Sequence, residues 1–145
     1  MQETRVVLHK AGEISPASAL DYEAVGGYEG LRRALAAPDQ VVELIKESGL
    51  RGRGGAAFPT GLKMGFTKSA EADQKYVVCN ADEGEPGTNK DRVIMEEIPH
   101  RLLEGMAIAG VAVGADQGYI YLRAEYPYVK RVLEQALESA HRHGF

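Results

Sequence analysis

The sequence predicts an α/β fold, a small, mainly parallel sheet flanked by helices. Three observations lead there. Apolar residues make up 44% of 145 residues, enough for the core of one ordinary domain or of a piece of a larger one. Two short runs, Tyr76-Val77-Val78-Cys79 and Gly118-Tyr119-Ile120-Tyr121-Leu122, read as strands, the first of them buried. Helical stretches lie between and after them, the alternation that a parallel sheet requires.

Residues 1–26 carry no strong period. Arg5-Val6-Val7-Leu8 suits a short strand or an arm lying on something else, and Ser15-Pro16 and Gly26-Gly27 are breaks. Residues 1–26 are therefore expected to be an N-terminal arm or docking segment, and 27–145 the domain proper. A helix is predicted from about Tyr28 to Ala36, interrupted by Pro38. Asp39 is a good N-cap for a second helix with Val41, Val42, Leu44 and Ile45 on its apolar face, and Gly49 suits the position after its end. A glycine-rich loop follows, Gly49 to Gly61, then a short helix and a polar surface loop over 62–74.

The first strand feeds a polar loop, Asn80 to Thr88. Asp91 to Glu97 suits a helix ended by Pro99. Arg101 to Val113 is small and apolar nearly all round, so that helix is expected to pack on two sides, with Met106 to Val113 in the core. After the second strand, Pro127 suits the first turn of a last helix. Val129, Val132, Leu133, Ala136, Leu137 and Ala140 share one face of it, with His141, Arg142 and His143 favourably placed at its C-terminal end.

Lys plus Arg is 17 and Asp plus Glu is 21, a net charge of −4. That balance lacks the basic face that phosphate neutralisation along a duplex needs, so no nucleic-acid partner is expected. No apolar run approaches the roughly 18 residues of a membrane span, so no direct membrane insertion is expected. Met1–Lys10 lacks the pattern of a signal peptide, which makes a cytoplasmic setting the expectation. Cys79 is the one cysteine, which excludes an internal disulfide and a cluster or zinc site built on several cysteines of this chain. At the end of an apolar strand it reads as a buried, inert thiol. His9, His141 and His143 have no partner at ligand spacing, so no metal is expected, and His100 beside Pro99 reads as structural.

Two segments carry chemistry. Gly49 to Gly61 holds five glycines in 13 residues, which lets backbone amides approach a phosphate or a flat ring closely. Arg51, Arg53 and Lys63 add positive charge to an otherwise acidic chain. Gly52-Arg53-Gly54-Gly55 follows a helix rather than a strand, so it is no Rossmann fingerprint, and the absence of Gly-Lys-Ser/Thr excludes a P-loop. Composition alone leaves both a structural loop and an anion or nucleotide site open. The second segment, Asn80 to Arg92, follows a strand, where α/β proteins usually place ligands. Asn80 offers donors and acceptors to a heterocycle edge, and Asp82, Glu83 and Glu85 can accept from ribityl or ribose hydroxyls. A solvated acidic turn is the other reading of the same residues.

Together these segments closely resemble one family. Ser48 to Gly55, Phe58-Pro59-Thr60-Gly61-Leu62-Lys63, Cys79 to Thr88 and Lys90-Asp91-Arg92 carry the resemblance, with Pro99-His100, Glu104-Gly105 and Tyr119-Ile120-Tyr121. They look like the FMN-binding, NADH-oxidising flavoprotein subunit of NADH:quinone oxidoreductase (respiratory complex I), a module shared with NAD-linked hydrogenases and formate dehydrogenases. The resemblance runs from about Ala24 to Phe145 and implies a Rossmann-like FMN/NADH-binding domain. By it, Gly52, Arg53, Gly54, Gly55 and Lys63 match positions at the FMN. Asn80 and Asp82 match residues that hydrogen-bond its ring and ribityl chain, and Glu83 an acidic residue near the flavin. Phe58 and Phe66 match aromatics that stack on the adenine of NADH, and Glu85 lies near the bound nucleotide and the hydride-transfer site.

The implied reaction is hydride transfer from NADH to FMN, with electrons passed to iron–sulfur clusters on other segments or chains. The chain is thus expected to be an NADH dehydrogenase component whose cofactors are FMN and NAD(H), with no iron–sulfur cluster of its own. The implied partners are cluster-carrying subunits, with peripheral attachment to the inner face of a membrane through them. No side chain need act as general base, because the flavin carries the chemistry. The family usually has Gly at the position of Ala57 and Trp at that of Met64. It also continues past Phe145 into a second flavin segment and a four-cysteine motif. The chain is therefore expected to be the N-terminal part of such a subunit. The alternative expectation is a non-catalytic assembly module, or an inactive fragment, retaining the fold with only half the flavin site.

Overall fold

The computed structural model describes residues 5–145. Two strands, β1 (Tyr76–Ala81) and β2 (Gln117–Leu122), pair as a small parallel sheet. A crossover of two helices joins them, α5 (Lys90–Glu97) and α6 (Pro99–Val113). Among the described residues four helices precede β1, namely α1 (Ala19–Ala24), α2 (Glu29–Ala36), α3 (Val41–Glu47) and α4 (Thr60–Ser69), and α7 (Pro127–Arg142) follows β2. The α/β expectation holds, and the helices and strands fall close to the predicted ranges except α1, which lies in the stretch that carries no strong period. The chain forms two compact units.

One unit comprises Gly30–Cys79 and Gly105–Tyr119. Its core is Ala34, Val41, Val42, Ala112 and Val113, with Ile45, Met64, Ile108 and Val111 packed against them. The apolar end of α6 is core, as its composition predicts. Helices α3 and α4 pack together closely at Gly61. A Cβ there would lie 2.5 Å from the backbone nitrogen of Lys46, so that glycine serves helix packing. Ser48 ends α3 and Gly49 takes the left-handed conformation after it, φ +66°.

Asp39 is not the N-cap of α3. Pro38 starts a short 3-10 turn over Pro38–Gln40, and this turn carries Asp39 inside a helical stretch rather than at its edge. Its carboxylate pairs instead with Lys68 Nζ at 3.1 Å. The short helix expected within 62–74 runs over Thr60–Ser69, its first residue held by a bond from the Thr60 amide to the carbonyl of Leu50.

The other unit comprises the chain up to Glu29, Asn80–Glu104 and Ile120–Phe145. Helix α7 buries Val129, Leu133, Ala136 and Ala140, and packs on α5 and α1. Leu137 of the predicted face stays partly exposed. The amide of Ala19 donates to Ser139 Oγ at 3.1 Å. Ser18 caps α1 by accepting from the amide of Asp21. Tyr22, Tyr28, His100 and Phe145 form an aromatic knot, in which Tyr28 and Phe145 stack with centroids 4.0 Å apart. Gly27 has no room for a side chain, since a Cβ would sit 2.2 Å from the Tyr22 ring.

Residues 5–8 form no strand. Turn bonds Ala11 N to Leu8 O and Glu13 N to Lys10 O close this stretch, and Arg101 takes the carbonyls of Val6 and Val7. Strand β1 is not buried throughout, because its side chains alternate and Tyr76 and Val78 face outward. Cys79 is half-buried on the other side. Pro99 does not merely end α5. It opens α6, where its missing N–H costs nothing.

Candidate functional site

The glycine-rich segment folds as a small hairpin in the unit that holds α3 and α4. Arg51 and Pro59 form an antiparallel bridge, and the amide of Gly52 donates to the carbonyl of Phe58 at 2.8 Å. Arg51 is committed to this hairpin, with Nε donating to the carbonyl of Ala57 at 2.7 Å. The tip is exposed, and a Cβ at Gly54 or Gly55 would meet nothing within 4 Å. A flat or phosphorylated group therefore has open access to the backbone there. Arg53 and Lys63 are exposed beside it and have no ion-pair partner among the described residues. Their charge is available to an anion.

Helix α4 begins straight out of the hairpin. Its inward side carries Gly61 and Met64, which leaves Leu62 and Phe66 outward at helical spacing. Phe66 is 67% exposed, and Phe58 is also open. Both phenylalanine rings are thus accessible to a flat apolar group. Gly52, Arg53, Gly54, Gly55, Phe58, Lys63 and Phe66 all belong to this one unit.

Asn80, Asp82, Glu83 and Glu85 belong to the other. Asn80 is the penultimate residue of β1, and its Oδ1 accepts from the amide of Asp82 at 3.1 Å. This small turn leaves the Asn80 amide group and the Asp82 carboxylate exposed. Gly84 to Gly87 are exposed and uncrowded, with Gly87 at φ +80°. Glu83 behaves differently. It is 3% exposed, and its carboxylate accepts from the amides of Asp91 at 2.8 Å and Arg92 at 3.2 Å. It thus caps the start of α5, where carboxylate charge is favoured by the helix dipole.

One residue that the sequence reading missed, Arg123, meets this loop, and Glu125 and Tyr126 hold it in turn. Arg123, immediately after β2, donates from Nη1 to the carbonyl of Glu83. Its Nε and Nη2 grip the Glu125 carboxylate at 3.1 and 2.9 Å, and the guanidinium lies 5.1 Å from the Tyr126 ring centre. The paired hydrogen bonds from Arg123 hold the Glu125 carboxyl down at about 2. A signal existed in the sequence, since an Arg-x-Glu stretch directly after a parallel strand lies at the strand end where ligands gather.

Among the described residues no group of three or more His, Cys, Asp or Glu side chains is placed to hold a metal ion. No described helix is long and apolar enough to cross a membrane.

Comparison with known proteins decides the family. A family model described as the Nuo51 FMN-binding domain matches residues 45–144. The chain belongs to the Nuo51 FMN-binding family. Both chemistry-bearing segments lie inside the matched stretch. A similar relative is an NADH-quinone oxidoreductase component of Rhizobium meliloti, 56% identical over 86% of this chain and 30% of that protein. The NADP-reducing hydrogenase subunit HndC of Solidesulfovibrio fructosivorans is 49% identical over 99% of this chain and 29% of that protein. A crystal structure of an NAD+-reducing NiFe hydrogenase in its H2-reduced state superposes with a TM-score of 0.75 at 36% identity, over 98% of this chain and 23% of the other. The chain thus spans less than a third of the length of these Nuo51-family relatives.

Proposed function

We propose that this chain is the FMN- and NADH-binding part of an NADH dehydrogenase-type flavoprotein subunit. The observation that carries this reading is the open glycine hairpin flanked by the exposed cations Arg53 and Lys63, inside a stretch matching an FMN-binding family. The residues fit the group, because an exposed backbone and two available cations suit a phosphorylated cofactor.

In this reading the amides of Gly52, Gly54 and Gly55 and the side chains of Arg53 and Lys63 would hold the FMN, with the two cations suited to its phosphate. Asn80 and Asp82 offer hydrogen bonds to ring and ribityl hydroxyls. Phe58 and Phe66 stack on the adenine of NADH, which covers apolar rings that otherwise face water. Glu85 lies beside the nucleotide. Glu83 contributes through its own backbone and by ordering the loop, since its carboxylate is taken up by α5. FMN, when bound, supplies the centre that accepts a hydride from NADH and releases electrons singly. Those electrons go to iron–sulfur clusters on other segments or chains, which makes cluster-carrying subunits the partners. Attachment to the inner face of a membrane follows through them. The relatives include both NAD- and NADP-linked enzymes, and the acidic character of Asp82 to Glu85 favours NADH, since it repels an extra phosphate.

The test is an FMN titration of the purified chain followed by flavin fluorescence, with NADH added anaerobically at the end. Saturable quenching, bleaching by NADH and at least tenfold weaker binding in Lys63→Glu are expected. A folded chain that leaves FMN free in solution overturns the reading and favours the docking-module alternative.

A further inference from the structure

Strands β1 and β2 run parallel, so the loops after both leave the same end of the sheet. Glu83 stands two residues past β1 and Arg123 one residue past β2. Glu83 is held at three points. Two are the α5 amides on its carboxylate, and the third is Arg123 on its carbonyl. The guanidinium is itself held on its other edge by Glu125 and on one face by Tyr126. Only a planar fork with several fixed N–H groups makes this arrangement, and an ammonium does not.

We propose that Arg123 is a positioning residue for the flavin and nucleotide loop: by locking the backbone at Glu83 it sets the direction in which Asp82 and Glu85 present their carboxylates. Asp82 and Glu85 lie one and two residues from the locked carbonyl, and beyond it Gly84 to Gly87 are all exposed. Without Arg123 the stretch from Asp82 to Thr88 keeps only the α5 contacts of Glu83 and two short-range turn bonds, Asp82 N to Asn80 Oδ1 and Thr88 N to Glu85 O. The inference rests on the flavin reading above. It adds that the pairing Glu125–Arg123–Glu83 determines how well that loop is preorganised.

The experiment compares the wild-type chain with Arg123→Gln, Arg123→Lys and Glu125→Gln. FMN affinity, amide hydrogen exchange over residues 82–92 and the absorption spectrum of the FMN-saturated protein are measured. Arg123→Gln is expected to bind FMN at least tenfold more weakly, to exchange at least tenfold faster over 82–88, and to show a flavin band moved toward that of free FMN. The spectral change at saturation separates positioning from mere stability, because loss of folded protein does not alter the spectrum of the loaded form. Arg123→Lys is expected to restore less than half of the lost affinity in logarithmic terms, since charge without the fork does not fix the carbonyl. Should Arg123→Gln fold poorly, Glu125→Gln leaves the arginine present and is expected to weaken FMN about threefold with faster exchange in the same segment. Wild-type binding of FMN matched within twofold by Arg123→Gln, or by Glu125→Gln where only that variant folds, with unchanged exchange, overturns the positioning role alone. A wild-type chain that binds no FMN overturns the flavin reading and with it this consequence.

Discussion

The hydroxyl of Tyr28 and Nδ1 of His100 lie 2.6 Å apart in a buried hydrogen bond. His100 is 1% exposed, and Tyr22 stacks on its ring while donating to Glu104 at 2.6 Å. The bond joins the segment before α2 to the first turn of α6. The family-like Pro99-His100 pair is therefore a structural post in this unit.

This post makes stability depend on pH. Burial pushes the His100 imidazole below its ordinary 6.5, and the backbone carbonyl of Ala17 offsets part of that. The unfolded chain thus takes up a proton on His100 before the folded chain does. The His100 contribution is complete above about pH 6.5 and is lost as pH falls below it toward the depressed folded value. Thermal melts between pH 8 and 5 should show a midpoint that drops below pH 6.5, and His100→Gln should flatten that part of the profile. An unchanged slope in the variant would falsify the assignment.

Glu83 is predicted to matter for folding before any ligand is present. Replacing it by Ala removes a buried carboxylate cap from α5 and leaves the Asp91 and Arg92 amides without it. A loss of about 1–2 kcal/mol is expected, read from the urea midpoint.

Glycines 54 and 61 should behave oppositely. Gly61→Ala drives a methyl group into the backbone of α3 and should cost about 1–3 kcal/mol. Gly54→Ala meets open space, so its melting temperature should stay near wild type while FMN affinity falls. Equal melting temperatures for the two variants would sink the division of labour.

Ala57 takes φ +49°, a conformation that Gly adopts freely and a Cβ opposes. It is also the position where the family usually has Gly. Ala57→Gly should relieve about 1 kcal/mol of local strain, partly offset by chain entropy, and raise the melting temperature by a degree or more.

Sequence reading succeeds where structure is local. The all-round apolar character of α6, the periodic face of α7, the Gly49 stop and the Pro127 start follow from side chains within one or two turns. The open character of the glycine hairpin is legible for the same reason. The misses are tertiary. Asp39 has the chemistry of a cap, but Pro38 places it inside a 3-10 turn. Glu83 has the chemistry of a ligand for hydroxyls, yet its nearest donors are amides eight and nine residues on. The pairing of Arg123 with Glu83 spans 40 residues, and only the parallel sheet brings the two together. Arg51 reads as available charge because its bond to Ala57 needs the hairpin already closed.

The parallel crossover also imposes an order on how the chain is built. Strand β2 cannot dock on β1 until everything from Asp82 to Asp116 has been gathered into place, and a closure of that length is slow compared with forming a helix. The Arg123 bond to Glu83 forms only after that docking. The acidic loop is therefore among the last parts to acquire its native shape. On the reading proposed above, FMN present at that stage would favour the chains whose loop has closed, so a richer cofactor supply during synthesis is expected to raise the yield of native protein.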